Sequence, residues 1–128
     1  MKRRILVIED NEQNLYLIRY ILEECGHEVF AAMDGQAGVT MAASLKPDLI
    51  LLDIQLPIMD GYEVAKLLRR NPDIADTPII AVTSYAMPGD KEKAQASGCT
   101  GYIEKPINPD TFDAQVEAYL IRPPASER

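Results

Sequence analysis

Short apolar runs alternate with longer amphipathic stretches along the chain, and the alternation repeats five times. The apolar runs are RILVIE (4–9), EVFAA (28–32), DLILLD (48–53), PIIAVT (78–83) and GYIE (101–104). In the first, third and fourth, Ile, Leu and Val follow one another almost without a polar break. A strand with one wet face alternates apolar and polar residues, whereas a strand covered on both faces does not. The pattern predicts a parallel sheet buried on both sides.

Each run leads into a stretch of helical length with its own start and stop signals. Asn11 can cap a first helix that carries Leu15, Ile18, Leu22 and Cys25 at helical spacing, and Gly26 ends it. Asp34 can cap a second, with Val39, Met41, Ala42 and Leu45 as its apolar set, before Lys46-Pro47 stops it. GYEVAKLLRR (61–70) is the third, ended ahead of Asn71-Pro72. PGDKEKAQAS (88–97), with Pro88 near its first turn and Gly98 after it, predicts a short polar fourth helix. NPDTFDAQVEAYLI (108–121) is the fifth, with Phe112, Val116, Ala118 and Leu120 available for a buried side. Five strand-then-helix units imply right-handed crossovers and a sheet with helices on both faces. Periodicity does not fix the order of the strands. The closing RPPASER is short and polar, and is expected to fray.

The length of 128 residues suits one domain with a real core. The proportions, 47% hydrophobic and 26% charged, are those of an ordinary globular protein and leave the fold reading unchanged. The net charge of −7 does change the picture. Nucleic acids and anionic membranes both want clustered Lys and Arg, so direct binding to either is not expected. The basic MKRR tip is too small for a DNA arm and runs directly into a strand. No apolar run approaches the roughly 20 residues of a membrane span, and ILVI is too short for a signal peptide. The expected location is the cytoplasm. Cys25 and Cys99 read as small buried hydrophobes in a reducing compartment. His27, the single histidine, reads as a surface turn residue because no second ligand stands at metal spacing.

Ligands of open α/β sheets bind beyond the carboxyl ends of the strands. The first strand ends in Glu9-Asp10, the third in Asp53, the fourth in Thr83-Ser84 and the fifth in Lys105-Pro106. Taken singly, these could be a helix cap, a turn former, a strand hydroxyl and a solvated charge. Taken together they give one edge three carboxylates, a hydroxyl pair and a lysine. Three acids with no histidine or thiol nearby suit a hard divalent cation, Mg2+ rather than zinc. Lys105 is a compact charge able to pair with an anion, Thr83 offers a hydroxyl donor, and a carboxylate can attack a phosphoryl group to give an acyl phosphate.

VIEDN, LILLDIQLPIMDG, IIAVTSYAM and GYIEKPI resemble, in order and spacing, the motifs of response-regulator receiver domains of the CheY-like superfamily. The resemblance spans essentially the whole chain. EDNEQN and TSYAMPGD look most like stand-alone, DivK-like cell-division receivers and the receivers of hybrid histidine kinases. It implies a flavodoxin-like (βα)5 three-layer sandwich with a five-stranded parallel sheet of order 2-1-3-4-5. Residues 1–122 would be the receiver and 123–128 a polar tail. Carried over by resemblance, Asp53 is the phosphoacceptor and Asp10 a direct Mg2+ ligand, with Glu9 acting largely through a bound water. The main-chain carbonyl of Gln55 completes the protein ligands. Thr83 bonds a phosphoryl oxygen, and Lys105 pairs with the phosphate, held by a cis Lys105-Pro106 bond. Tyr102 matches the switch aromatic that turns inward when Thr83 moves, and Pro57 and Gly61 shape the loop after Asp53. Glu9 stands where Asp is also common. Gln55 and Tyr85 occupy variable positions that tune how water reaches the acyl phosphate. The implied partners are a histidine kinase or histidine phosphotransferase as donor and a downstream protein target.

Other readings compete. A phosphatase using Asp53 on small substrates would want a second acid soon after it and a cap insertion; DIQLP and the loop lengths supply neither. A receiver fold kept only for binding would be marked by loss of Asp53, Lys105 or the acidic pair, and none is lost. A fragment of a hybrid kinase is the third. Met1 and the early end after the fifth helix favour a complete single-domain protein.

Overall fold

All five apolar runs form strands in a computed structural model that describes residues 2–84 and 88–120. They are β1 (Arg4–Ile8), β2 (Glu28–Ala32), β3 (Leu49–Asp53), β4 (Ile79–Thr83) and β5 (Gly101–Glu104). Every pairing is parallel and the order is β2-β1-β3-β4-β5, so the chain reverses its winding between β1 and β3. Five α-helices connect or follow the strands: α1 (Glu12–Glu24), α2 (Gly35–Leu45), α3 (Gly61–Arg69), α4 (Asp90–Ser97) and α5 (Phe112–Leu120).

The register explains the unbroken apolar runs. Successive side chains point to opposite faces, and both faces are covered. Ile5, Val7, Leu49, Leu51, Ile80 and Val82 meet Ile18 and Leu22 of α1 and Phe112 and Val116 of α5. Leu6, Ile8, Ile50, Leu52, Ile79 and Ala81 meet Val64 and Leu68 of α3, Ala42 of α2 and Ala94 of α4. Helix starts follow from capping carboxylates and amides. The side chains of Asn11, Asp34 and Asp60 accept from the N–H groups of Asn14, Ala37 and Glu63, groups that have no partner within the helix. Gly61 matters for space: a Cβ there would stand 2.5 Å from Ile54 Cα and 2.6 Å from the Asp53 carbonyl oxygen. The first turn of α3 is thereby pressed against the end of β3.

Three expectations are corrected. Cys25 is exposed, because it is the residue after the last turn of α1, with ψ near 2°, where helical spacing no longer applies. Ala118 is exposed as well. Phe112, Val116 and Leu120 recur every fourth residue and are buried, and Ala118 lies about half a turn away from them. His27 is no surface residue: it is 5% exposed. Its Nδ1 accepts from the Arg3 N–H at 3.2 Å, which places the ring proton on Nε2, and Nε2 donates to Glu117 Oε1 at 2.6 Å. The ring joins the start of the sheet to α5. Cys25 and Asp113 lie in the same seam, Sγ to Oδ2 3.6 Å, yet a ring with both nitrogens engaged has no lone pair for a metal.

A short 3-10 helix at Pro72–Ile74 and the half-buried, many-partnered guanidinium of Arg69 were not foreseen. Arg69 donates from Nε to Gly98 O at 2.8 Å, from Nη1 to the carbonyls of Ile74, Ala75 and Thr77, and from Nη2 to Thr100 Oγ1 at 3.1 Å. One side chain thus ties the end of α3 to the end of α4 and to the entry of β4. Tyr85 and the expected tail lie outside the described residues. No helix among the described residues is long and apolar enough to cross a membrane.

Candidate functional site

The carboxyl edge of the sheet gathers the polar strand ends. Glu9 continues β1, its N–H donating to Ala32 O at 3.0 Å, and its side chain is 1% exposed. Asp10 follows and is exposed. Asp53 ends β3, whose five residues are all buried, and is itself 4% exposed. One oxygen from each of Glu9, Asp10 and Asp53 lies within 4.8 Å of the others. The topology creates this crowding: β1 and β3 are neighbours, and Ile8 pairs with Leu52 one residue before both acids.

Lys105 reaches over the group from the loop after β5. Its ammonium is 2.9 Å from Glu9 Oε1 and 3.6 Å from Asp53 Oδ2, and the side chain is 10% exposed. The Lys105 N–H donates to Thr83 O at 2.8 Å, and the Lys105–Pro106 peptide is cis. Further donors hold the acids in place, Gln55 N–H on Asp53 Oδ1 at 2.9 Å and Asn11 N–H on Glu9 Oε2 at 3.2 Å. Thr83, 3% exposed, ends β4 between β3 and β5. Tyr102 pairs with Ala81, is half-buried, and carries the Lys91 ammonium 5.9 Å above its ring. The loop after Asp53 turns sharply, with Ile58 at φ 67°. A β-branched residue in the left-handed region stores about 1–3 kcal/mol of strain.

Burial and charge compete at Glu9. Removal from water, then the hydrogen bond and negative charge of Asp53, push its carboxyl up from 4.5 to about 7, although Lys105 pulls the other way. With Glu9 ionised, one ammonium does not offset three carboxylates. A second, divalent cation fits that deficit, and an all-oxygen donor set with no thiol or imidazole fits Mg2+.

The structure brings together Glu9, Asp10, Asp53 and Lys105, with Thr83 at the adjoining strand end and the main chain of Gln55 against Asp53. Sequence reasoning singled out Gln55 as a variable position but missed its side-chain contact, Oε1 accepting from the Ser84 N–H at 3.3 Å. A glutamine in a loop gives no sequence signal of a partner 29 residues away.

Comparison with known proteins follows the same outline. The response regulator receiver domain family matches residues 5–117. The polar-differentiation response regulator DivK of Brucella anthropi is 40% identical over 120 residues, covering 94% of this chain and 98% of that protein. DivK of Brucella ovis shows the same identity and coverage. The Vibrio cholerae chemotaxis protein CheY4 superposes with a TM-score of 0.89 at 28% identity, over 93% of this chain and 99% of that one. The receiver domain of the Pseudomonas aeruginosa sensor histidine kinase PA1611, with a magnesium ion in its active-site cleft, superposes at 0.86 with 31% identity, over 94% and 98%.

Proposed function

The chain belongs to the response regulator receiver domain family, and from that premise we propose that Asp53 takes a phosphoryl group from a phosphohistidine and that the modified domain presents a changed surface to a protein partner. A receiver is a signalling phosphoacceptor, and the chemistry it assists is its own phosphorylation and dephosphorylation. The setting of Asp53 carries the assignment: a carboxylate at the end of the central strand, with Oδ1 held by Gln55 N–H at 2.9 Å and Oδ2 3.6 Å from the Lys105 ammonium. In the transfer, an Asp53 oxygen forms the new P–O bond while the P–N bond breaks. The released electron pair stays on the imidazole nitrogen, which takes up a proton.

The donor's phosphoryl group is anionic and enters an acidic pocket, so cations must offset the repulsion. Glu9, Asp10, Asp53 and the Gln55 main-chain carbonyl would hold Mg2+, which when bound neutralises charge and orients phosphoryl oxygens. Lys105 pairs with the phosphate and Thr83 donates its hydroxyl to a phosphoryl oxygen. Movement of Thr83 toward the phosphate opens space beside β5 for the ring of Tyr102, which changes the face formed by α4, β5 and α5. The phosphodonor is a histidine kinase or histidine phosphotransferase, the output is protein binding rather than contact with nucleic acid, and the setting is the cytoplasm. Residues 1–122 form the domain and 123–128 its tail.

Incubation with acetyl phosphate, with and without Mg2+, followed by peptide mass spectrometry tests the assignment. One phosphoryl group is expected on Asp53, dependent on Mg2+ and absent from Asp53→Asn. Label that persists in Asp53→Asn, or in excess chelator, would sink it.

A further inference from the structure

Phosphoacceptor chemistry leaves two features of Gln55 unused. Its side chain crosses from the loop after β3 to the first peptide beyond β4, where Oε1 accepts from the Ser84 N–H at 3.3 Å. A main-chain N–H needs an oxygen opposite it, so this contact fixes which way the amide is turned. The Nε2 group on the other side is buried and has no hydrogen-bond partner among the described residues. Buried donors are nearly always satisfied, so this one is open to an acceptor that enters the site. The Ser84 bond is long for an N–H···O contact and is the weaker of the two links Gln55 makes across the site. Its main-chain N–H, at 2.9 Å from Asp53 Oδ1, is the stronger, and it anchors Gln55 against the carboxylate that would take the phosphoryl group.

Given phosphorylation at Asp53 as proposed above, we propose that the Gln55 side chain is a latch on the Ser84 peptide that holds the end of β4 in its resting place until a phosphoryl group draws the amide away. Charged phosphoryl oxygens are stronger acceptors than anything Nε2 now meets. When Nε2 turns to them, Oε1 leaves Ser84, and the Thr83–Ser84 segment is free to shift. Gln55 is thus a positioning residue that acts on Thr83 through the neighbouring peptide. No bond is made or broken in the step beyond this exchange of hydrogen bonds.

Two variants and one phosphoryl mimic decide the matter by amide NMR. Gln55→Met keeps length and removes both polar groups; Gln55→Glu keeps an acceptor for Ser84. In resting protein, Gln55→Met should move the Ser84 amide resonance toward its position in beryllofluoride-treated wild type, and Gln55→Glu should leave it near the wild-type position. In wild type, beryllofluoride with Mg2+ should shift the Gln55 side-chain NH2 pair. The latch is refuted if Ser84 stays put in Gln55→Met, if both variants move it alike, or if the NH2 pair is unmoved with Asp53 saturated. A wild type that takes up no beryllofluoride overturns the phosphoacceptor assignment instead, and the resting comparison of wild type with Gln55→Met still decides the latch.

Discussion

Replacing Glu9 by Gln removes the one group at the site that burial holds protonated close to neutral pH. In the metal-free protein its carboxyl is raised from 4.5 to about 7. The folded state therefore keeps a proton that the unfolded chain releases between those values. The associated stability is fully present below about pH 4.5, falls as pH rises, and is gone above about pH 7. Each pKa unit is worth about 1.4 kcal/mol, so the full effect is on the order of 3 kcal/mol. Glu9 is buried, so this figure needs little discount for solvent screening. Gln carries no such linkage. Urea unfolding in chelator at half-unit steps from pH 5 to 8 measures it, and subtracting the Glu9→Gln curve from wild type cancels the titrating groups that do not touch Glu9 and leaves the Glu9–Asp53–Lys105 cluster. Wild type should lose about 2–3 kcal/mol relative to the variant across that range. Added Mg2+ at pH 8 should recover part of the loss in wild type, since a ligand of the folded state stabilises it by mass action. Parallel curves from pH 5 to 8 would show that Lys105, not burial, dominates at Glu9.

Two further substitutions test how the site is held. Arg69→Met should cost about 1–3 kcal/mol in urea unfolding, because it strips part-buried acceptors at the end of α4 and around the entry of β4 of their donor, and Arg69→Lys should restore only a minor share, having no fork. A loss under about 0.5 kcal/mol would show that water replaces the guanidinium without penalty. Gly61→Ala should cost about 1–3 kcal/mol and shift the amide resonances of Asp53 and Gln55, because the new methyl meets main-chain atoms that have no rotamer to yield; unchanged resonances would mean that α3 moves away instead.

The fold was legible wherever a residue's role depends on its immediate neighbours. Runs of Ile, Leu and Val mark strands covered on both faces, and Asn11, Asp34, Gly26 and Gly98 mark helix ends through caps and turns that the local chain makes by itself. Strand order was not legible in this way and came from resemblance, because no local rule says which strand lies beside which. The acids and the lysine were legible as a group once placed at strand ends, since the edge of a parallel sheet brings those ends together. His27, Arg69 and the Gln55 side chain were not. Their partners are main-chain groups, the Thr100 hydroxyl or a carboxylate up to 90 residues away, and a carbonyl oxygen has no signature in a sequence. Cys25 and Ala118 failed for a different reason: spacing was applied one residue past a helix end in the first case and off the apolar stripe in the second.

The order in which the sheet is threaded has a consequence for how the molecule is made. Glu9, Asp10 and Asp53 lie on adjoining strands, so they are drawn together as soon as β1 pairs with β3. Lys105, the cation that touches Glu9 and Asp53, follows Asp53 by about two-fifths of the chain. A nascent chain still short of residue 105 has crowded carboxylates and no ammonium to set against them, and burying unpaired charge is opposed by several kcal/mol. The acids at the ends of β1 and β3 therefore gain their ammonium only from the chain that follows β5. Charge balance at this edge thus ties the first half of the chain to the second: the two acids and the ammonium that meets them come from opposite halves of the sequence.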